Sequence, residues 1–204
     1  MLIATTDNEA RRTSPLAFWR YGHDYLRVAH TLCRQHRIPC ADAQVAYHAA
    51  AQGMEFALKA FLRARGATVN ELRSDVGHSL MKALARSEAE GLPPIPAPWR
   101  AAVAEIALCH QDAQFVYLVT PVGAFPELDP LIGAGIFVLD SIAPDVARHF
   151  VLHLGSNATP TVETFIGRLR ADLSATFEIA TLSDDGGLAH PVPGMAPAGG
   201  RLYA

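Results

Sequence analysis

The stretch Ala46–Leu84 constrains the fold more than any other part of the chain. Its first half spaces apolar side chains three and four residues apart, which places them on one face of a helix. That face consists of Tyr47, Ala51, Met54, Leu58, Phe61 and Leu62. The opposite side begins with small residues, namely Ala46, Ala49, Ala50, Gly53 and Ala57. The pattern predicts a long amphipathic helix that a neighbouring helix can approach closely.

The second half of the stretch predicts a loop and another helix. Gly66 is suited to end the first helix, because glycine readily adopts the left-handed conformation of a C-terminal cap. Residues 67–77 are expected to form a polar loop, and either Ser79 or Asp75 can cap the following helix. The two helices are expected to lie side by side as antiparallel partners, with the imidazole of His78 facing solvent.

The rest of the chain repeats the helical pattern without any alternating strand pattern. Ser14-Pro15 is a typical helix start, with serine as the cap and proline in the first turn. Pro144 is expected to bend the long helix that contains it. Helices are predicted at about 14–37, 42–66, 79–90, 99–118, 130–154 and 161–177. The fold class is therefore all-α, an antiparallel bundle of five to six helices.

Composition suggests one domain with two appended segments. Residues 1–13 are predicted to be a flexible arm, residues 14–180 a single helical domain, and residues 181–204 a Gly/Pro-rich tail. The 204 residues carry a formal net charge of −3, which argues against a strongly basic nucleic-acid coat. From Lys59 to Arg73, however, the sequence has four basic residues and one acidic residue, so a local basic patch is consistent with the sequence.

The N-terminal region and the cysteines favour a cytoplasmic protein. Residues 1–13 are polar and are not followed by the apolar run of a signal peptide. The longest uncharged apolar stretch, Pro130–Leu139, is shorter than the roughly 20 residues that a membrane span needs. The three cysteines lack metal-site spacing, which is typical of reduced thiols. No membrane association and no cofactor are therefore expected.

Two short runs resemble the HEPN family, the nucleotide-binding domains of higher eukaryotes and prokaryotes. The first is Met54–Leu62, followed by Gly66, and the second is Gly77-His78-Ser79-Leu80 at a helix start. The order and spacing of these runs carry the resemblance, which covers about Ser14–Asp145. Some bacterial HEPN proteins also have an aromatic-Arg-Tyr-Pro-like stretch after the fourth helix. Phe115–Gly123 stands at that place here, with Val116 where the arginine is usual.

The resemblance implies two kinds of function. One is a non-catalytic module, of the kind found in toxin–antitoxin or defence-type systems, that binds a nucleotide, RNA or a protein partner. The other is a metal-independent toxin-type endoribonuclease, in which an arginine and a histidine separated by four to six intervening residues meet at a dimer interface. A homodimer is expected in either case. HEPN proteins are associated with nucleotidyltransferases, so the resemblance also suggests such an enzyme as a protein partner.

Two Arg–His pairs fit the catalytic spacing. They are Arg73 with His78 and, as the alternative, Arg148 with His153. A histidine can move a proton near neutral pH, and an arginine can stabilise the charge that develops on a phosphate. The composition gives roughly two such pairs by chance. The binding interpretation is therefore preferred over the catalytic one.

Other residues are candidates for ligand or metal binding. Glu55 and Lys59 are interpreted first as an exposed pair one helical turn apart, and otherwise as a polar strip in a groove. Asp75 is a further polar candidate, and the aromatic pair Phe115 and Tyr117 can stack on a base. His149 and His153 lie four residues apart and can face one zinc ion, but no third ligand is identifiable. No metal site is therefore predicted.

Overall fold

The computed structural model describes residues 12–35, 40–111, 127–153 and 160–177. Within these ranges the chain is helical and contains no strand, which confirms the all-α bundle. The helices are α1 (Pro15–Gln35), α2 (Cys40–Ala64), α3 (Val69–Glu71), which continues as the π-helical turn Leu72–Val76, α4 (Leu80–Ala89), α5 (Ala97–Gln111), α6 (Leu128–His153) and α7 (Val162–Phe177). Most of the expected arm, residues 1–13, and the expected tail, residues 181–204, lie outside the described residues.

Helices α1 and α2 form the closest pair in the bundle. Arg63 near the end of α2 donates from Nε to the carbonyl of Thr13, 2.9 Å away, just before α1. Gly22 and Gly53 meet further along the pair, where a Cβ atom on Gly22 would lie 3.1 Å from the carbonyl oxygen of Gly53. The two helices are therefore antiparallel. The predicted close approach on the small-residue side of α2 is confirmed, because Gly53 lies in that set.

Helix α6 packs beside both α1 and α2. The buried indole of Trp19 donates to the carbonyl of Leu139 over 3.0 Å. Further along, Leu26 fills the space beside Gly135, so α1 and α6 run in opposite directions. Residues on several sides of α6 are buried, because the helix has neighbours on more than one side: Leu131, Ile132, Ala134, Gly135, Val138, Leu139, Ile142, Ala143, Val146 and Ala147. Pro144 lies inside this helix.

Helix α6 also bears on the expectation that no segment spans a membrane. Among the described helices it is the one long and apolar enough to do so by length and composition. More than half of its most apolar window is buried inside the bundle, as in a core helix, so this is weak evidence for a span. The uncharged stretch Pro130–Leu139 is too short to indicate a membrane span by itself. The whole helix is long enough, because the apolar character of α6 continues beyond Asp140.

Helix α7 closes the bundle against α6. Phe165 stacks on Phe150, with ring centroids 4.5 Å apart. Arg170 donates from Nε to Asp140 over 3.0 Å, so α7 returns antiparallel to α6. Its start is capped by Thr161, whose hydroxyl oxygen accepts from a backbone amide one turn later.

The direction of α4 differs from the expectation. The start of α4 lies beside the middle of α2, because His78 contacts Glu55. Its end lies near the end of α2, because Arg86 lines the same surface depression as Gly66. Helices α2 and α4 pack against each other as expected, but they run in the same direction. The prediction that α2 and α4 are antiparallel was wrong, because residues 67–77 return along α2 before α4 begins.

That return segment is more ordered than a polar loop. Thr68 caps α3, and its hydroxyl oxygen accepts from the amide of Glu71 while the Glu71 carboxylate accepts from the Thr68 amide. Gly66 adopts φ +101°, which confirms it as the C-terminal cap of α2. Ser79 caps α4 by accepting from the amide of Lys82, so the alternative cap Asp75 is wrong.

Candidate functional site

The candidate site is built around a buried carboxylate on α2. Glu55 is 1% exposed, so the interpretation of Glu55 and Lys59 as a surface pair is wrong. The reason is visible in the helix pattern: Glu55 follows Ala51 by four residues and precedes Leu58 by three. It therefore lies on the apolar face that packs against other helices. A buried carboxylate is costly unless it is hydrogen-bonded and paired with a cation.

Three side chains from three parts of the chain meet Glu55. Lys59, one turn later on α2, donates from Nζ to Oε1 over 2.5 Å. His110, near the end of α5, donates from Nε2 to Oε2 over 2.6 Å. His78 contacts both oxygens through Nδ1, at 3.1 and 3.3 Å. Glu55, Lys59, His78 and His110 are called the Glu55 cluster below.

The environment of Glu55 acts on its pKa in two directions. Burial raises the pKa of Glu55, because an apolar interior disfavours the charged form. The hydrogen bond from His110 and the charge and hydrogen bond of Lys59 act against burial and prevail. The pKa of Glu55 is thereby lowered to about 2, so the carboxylate is ionised and accepts hydrogen bonds from its partners at neutral pH.

A further histidine, the half-buried His48, lies beside His110. The ring centroids of His48 and His110 are 6.2 Å apart. Burial, and then the charge of His110, lower the pKa of His48, while Glu55 raises it. His48 is thereby biased toward the neutral form near pH 7. Sequence reasoning missed His110 as a partner of Glu55, because α5 meets α2 only in the tertiary structure.

His78 is positioned by the segment between α2 and α4. The π-helical turn ends with the amide of Gly77 donating to the carbonyl of Leu72 over 2.9 Å, and Gly77 adopts φ 58°. Leu72 and Val76 are buried and anchor this turn. A π-helical turn is a feature often found at functional sites. It holds Arg73 on the turn and directs His78 toward Glu55, with the His78 side chain still 74% exposed.

A surface groove of about 460 Å³ opens beside His78 and is called the His78 groove. Its lining includes Phe18, Phe56, Lys59, Arg73, Gly77 and His78. Apolar and aromatic side chains thus lie beside two cations and an imidazole. A pocket of this size, with a few polar groups on an apolar wall, suits a small ligand or part of a larger one.

The remaining ligand-binding candidates do not join the groove. Asp75 accepts from the hydroxyl of Ser74 over 2.6 Å and lies 3.6 Å from Arg86, so it does not line the His78 groove. Tyr117, together with the stretch Phe115–Gly123, lies outside the described residues. Of the four ligand-binding candidates, Lys59 lines the groove and Glu55 lies directly behind it.

The alternative pair is engaged within its own helix. Arg148 lies 3.8 Å from Asp145, one turn earlier on α6. His153 donates from Nδ1 to the carbonyl of His149 over 2.7 Å, and the two imidazole rings stack at 4.0 Å. Burial, and then the charges of His153 and Arg63, lower the pKa of His149. In contrast to Arg73 and His78, this pair is not found lining the groove.

The described ranges contain no group of three histidine, cysteine, aspartate or glutamate side chains arranged to hold a metal ion. His149 and His153 therefore find no third ligand in that part of the chain. Asp145, one turn before His149 on α6, lies between Arg65 and Arg148.

No family model, no curated protein and no solved structure matches the chain.

Proposed function

We propose that this protein is a HEPN-like helical module that binds a nucleotide or an RNA strand in the His78 groove. The observation that carries the proposal is the convergence of Lys59, Arg73 and His78 on one groove with an aromatic wall. Lysine, arginine and histidine donors suit phosphate oxygens. The resemblance of Met54–Leu62 and Gly77–Leu80 to HEPN sequences supports the same proposal.

The aromatic wall supplies a second element of recognition. The Phe56 ring lies 5.8 Å from Phe18, 5.5 Å from Tyr21 and 5.7 Å from Tyr25, measured between ring centroids. Tyr21 and Tyr25 are exposed. Exposed aromatic rings beside cations can stack on bases with little regard for base identity. Of these four rings, Phe18 and Phe56 line the His78 groove together with Arg73 and His78, so a nucleobase stacked there lies in the same groove as the cations.

Replacing the two groove residues tests the proposal directly. Arg73→Ala and His78→Ala are each expected to weaken binding of a fluorescein-labelled RNA hexamer about tenfold, since a charged hydrogen bond contributes roughly 1.5–3 kcal/mol. Fluorescence anisotropy at low salt measures the Kd. Circular dichroism should be unchanged, because both side chains are exposed.

Arg148→Ala is the matched control, since Arg148 is an exposed arginine that does not line the groove. This variant is expected to bind the hexamer as the wild type does. Equal affinity of all four proteins, or equal loss in all three variants, would contradict binding in the His78 groove. Unfolding of His78→Ala would show instead that His78 has a structural role.

The second candidate function is metal-independent RNA cleavage by Arg73 and His78. The observation that favours it is the carboxylate–imidazole contact, because a carboxylate on one ring nitrogen prepares the other to accept a proton. Cleavage of the RNA hexamer in EDTA that Arg73→Ala or His78→Ala abolishes, and that Arg148→Ala retains, would replace the binding-only proposal. A hexamer left intact by the wild type would leave binding as the function.

A homodimer, a nucleotidyltransferase partner and a cytoplasmic location remain part of the proposal. They rest on the resemblance and on the sequence, and light scattering of the purified protein tests the first of them. For the catalytic alternative, an arginine and a histidine of each protomer must meet at a two-fold axis.

A further inference from the structure

The ring nitrogens of His78 are not equivalent. Nδ1 lies 3.1 and 3.3 Å from the two oxygens of Glu55, and the ring is otherwise largely exposed. An ionised carboxylate accepts hydrogen bonds and donates none. A hydrogen bond between them therefore requires the proton on Nδ1. In the neutral ring Nε2 is then an acceptor, whereas in the charged ring Nε2 donates.

We infer that Glu55 is a positioning residue of the His78 groove, which fixes His78 in the tautomer with the proton on Nδ1 and Nε2 toward the ligand. The carboxylate is held by the other two members of the cluster: Lys59 at 2.5 Å restrains Oε1, and His110 at 2.6 Å restrains Oε2. Glu55 therefore has little freedom to turn away from His78. The assignment concerns the apo protein and stands independently of which ligand binds.

The positioning has a consequence for binding, which rests on the proposed function. Lys59 and Arg73 supply positive charge to the groove, and His78 adds a ring nitrogen whose hydrogen-bonding role depends on its protonation. The charged and titratable groups around it are Glu55 and Lys59 from α2, Arg73 from the π-helical turn, and His110 from α5. In the charged ring Nε2 donates to a phosphate oxygen, and in the neutral ring it accepts from a ligand hydroxyl.

Nitrogen-15 NMR of the histidine side chains tests the inference in the wild-type protein. Long-range correlation spectra distinguish a protonated from an unprotonated ring nitrogen, and the His78 signals are assigned by their loss in His78→Gln. The expected result for the neutral ring of His78 is a protonated Nδ1 and an unprotonated Nε2. The proton on Nε2 instead, or an even mixture of tautomers, would overturn the inference.

Glu55→Gln provides the second arm, because glutamine keeps the shape but not the charge of the acceptor. If this variant folds, the His78 signals are expected to shift toward the Nε2-protonated form, and the RNA hexamer is expected to bind about tenfold more weakly. Unchanged His78 signals in folded Glu55→Gln would refute positioning by Glu55. If the variant does not fold, the wild-type spectrum alone tests the inference, because it shows which ring nitrogen of His78 carries the proton.

The two proposals fail in distinguishable ways. A wild type that has the expected tautomer but does not bind the RNA hexamer retains the positioning by Glu55 and loses the proposed function. A wild type that binds the hexamer through Arg73 with His78 in the other tautomer retains the function and loses the positioning.

Discussion

Glu55→Gln is expected to lower the free energy of unfolding by about 3 kcal/mol at pH 7. The basis is the lowering of the Glu55 pKa from 4.5 to about 2, at about 1.4 kcal/mol for each pKa unit. The variant also leaves the ammonium of Lys59, 13% exposed, without its carboxylate. Breaking a buried ion pair by removing one partner is typically worth roughly 3–5 kcal/mol. Urea unfolding followed by circular dichroism measures the change.

The pH dependence identifies the charge as the cause. A carboxylate whose pKa is lowered in the folded state stabilises the protein above the unfolded pKa, and this stabilisation is lost as pH falls. The difference between wild type and Glu55→Gln should therefore be full above pH 4.5 and shrink as pH falls toward about 2. Glu105→Gln is the control, because Glu105 is exposed. A difference that stays constant from pH 7 to the acid limit would mean that charge is not responsible.

Gly53→Ala is expected to lower the free energy of unfolding by about 1–3 kcal/mol, the usual cost of overpacking a closed interior. A Cβ atom at this position would lie 2.7 Å from Cγ of Leu26 and 3.0 Å from its backbone nitrogen. Neither atom is the end of a flexible side chain, so α1 and α2 must separate. In a domain of this size each kcal/mol lowers Tm by roughly 2–4 °C, which differential scanning calorimetry resolves.

Gly167→Ala is the matched control on α7. A Cβ atom there meets nothing within 4 Å, so alanine causes no clash. The substitution is expected to stabilise α7 by roughly 1 kcal/mol, because alanine has the higher helix propensity. The two glycine-to-alanine changes should thus shift Tm in opposite directions. If Gly53→Ala raised Tm as Gly167→Ala does, the close contact of α1 with α2 would be contradicted.

The helices could be predicted because their signals are local. Ser14 accepts from the amide of Ala17 at the start of α1, as its position before a proline indicated. Gly66 ends α2 with positive φ, and Ser79 caps α4. The short helix α3 was missed although Thr68 and Glu71 have the spacing of a capping box. That signal was present in the sequence and was not used.

The site could be predicted only in part. The exposed position of His78 agrees with expectation, because a helix start beside a glycine turn lies at the surface. Glu55 was placed on the surface on account of its charge, although its spacing from Ala51 and Leu58 placed it on the apolar face. His110 had no local signal that pointed to Glu55. Its contact with Glu55 joins residues 55 positions apart in the chain.

The sequence by itself determined which segments are helices and which face of each is apolar, because capping and periodicity act over a few residues. The tertiary structure alone decided that α4 runs in the same direction as α2 and that Glu55 is buried among Lys59, His78 and His110. Those features depend on contacts between distant residues. A helical pattern does not encode the direction in which its neighbour runs, and a carboxylate is stable in the interior only where packing brings cations and donors to it.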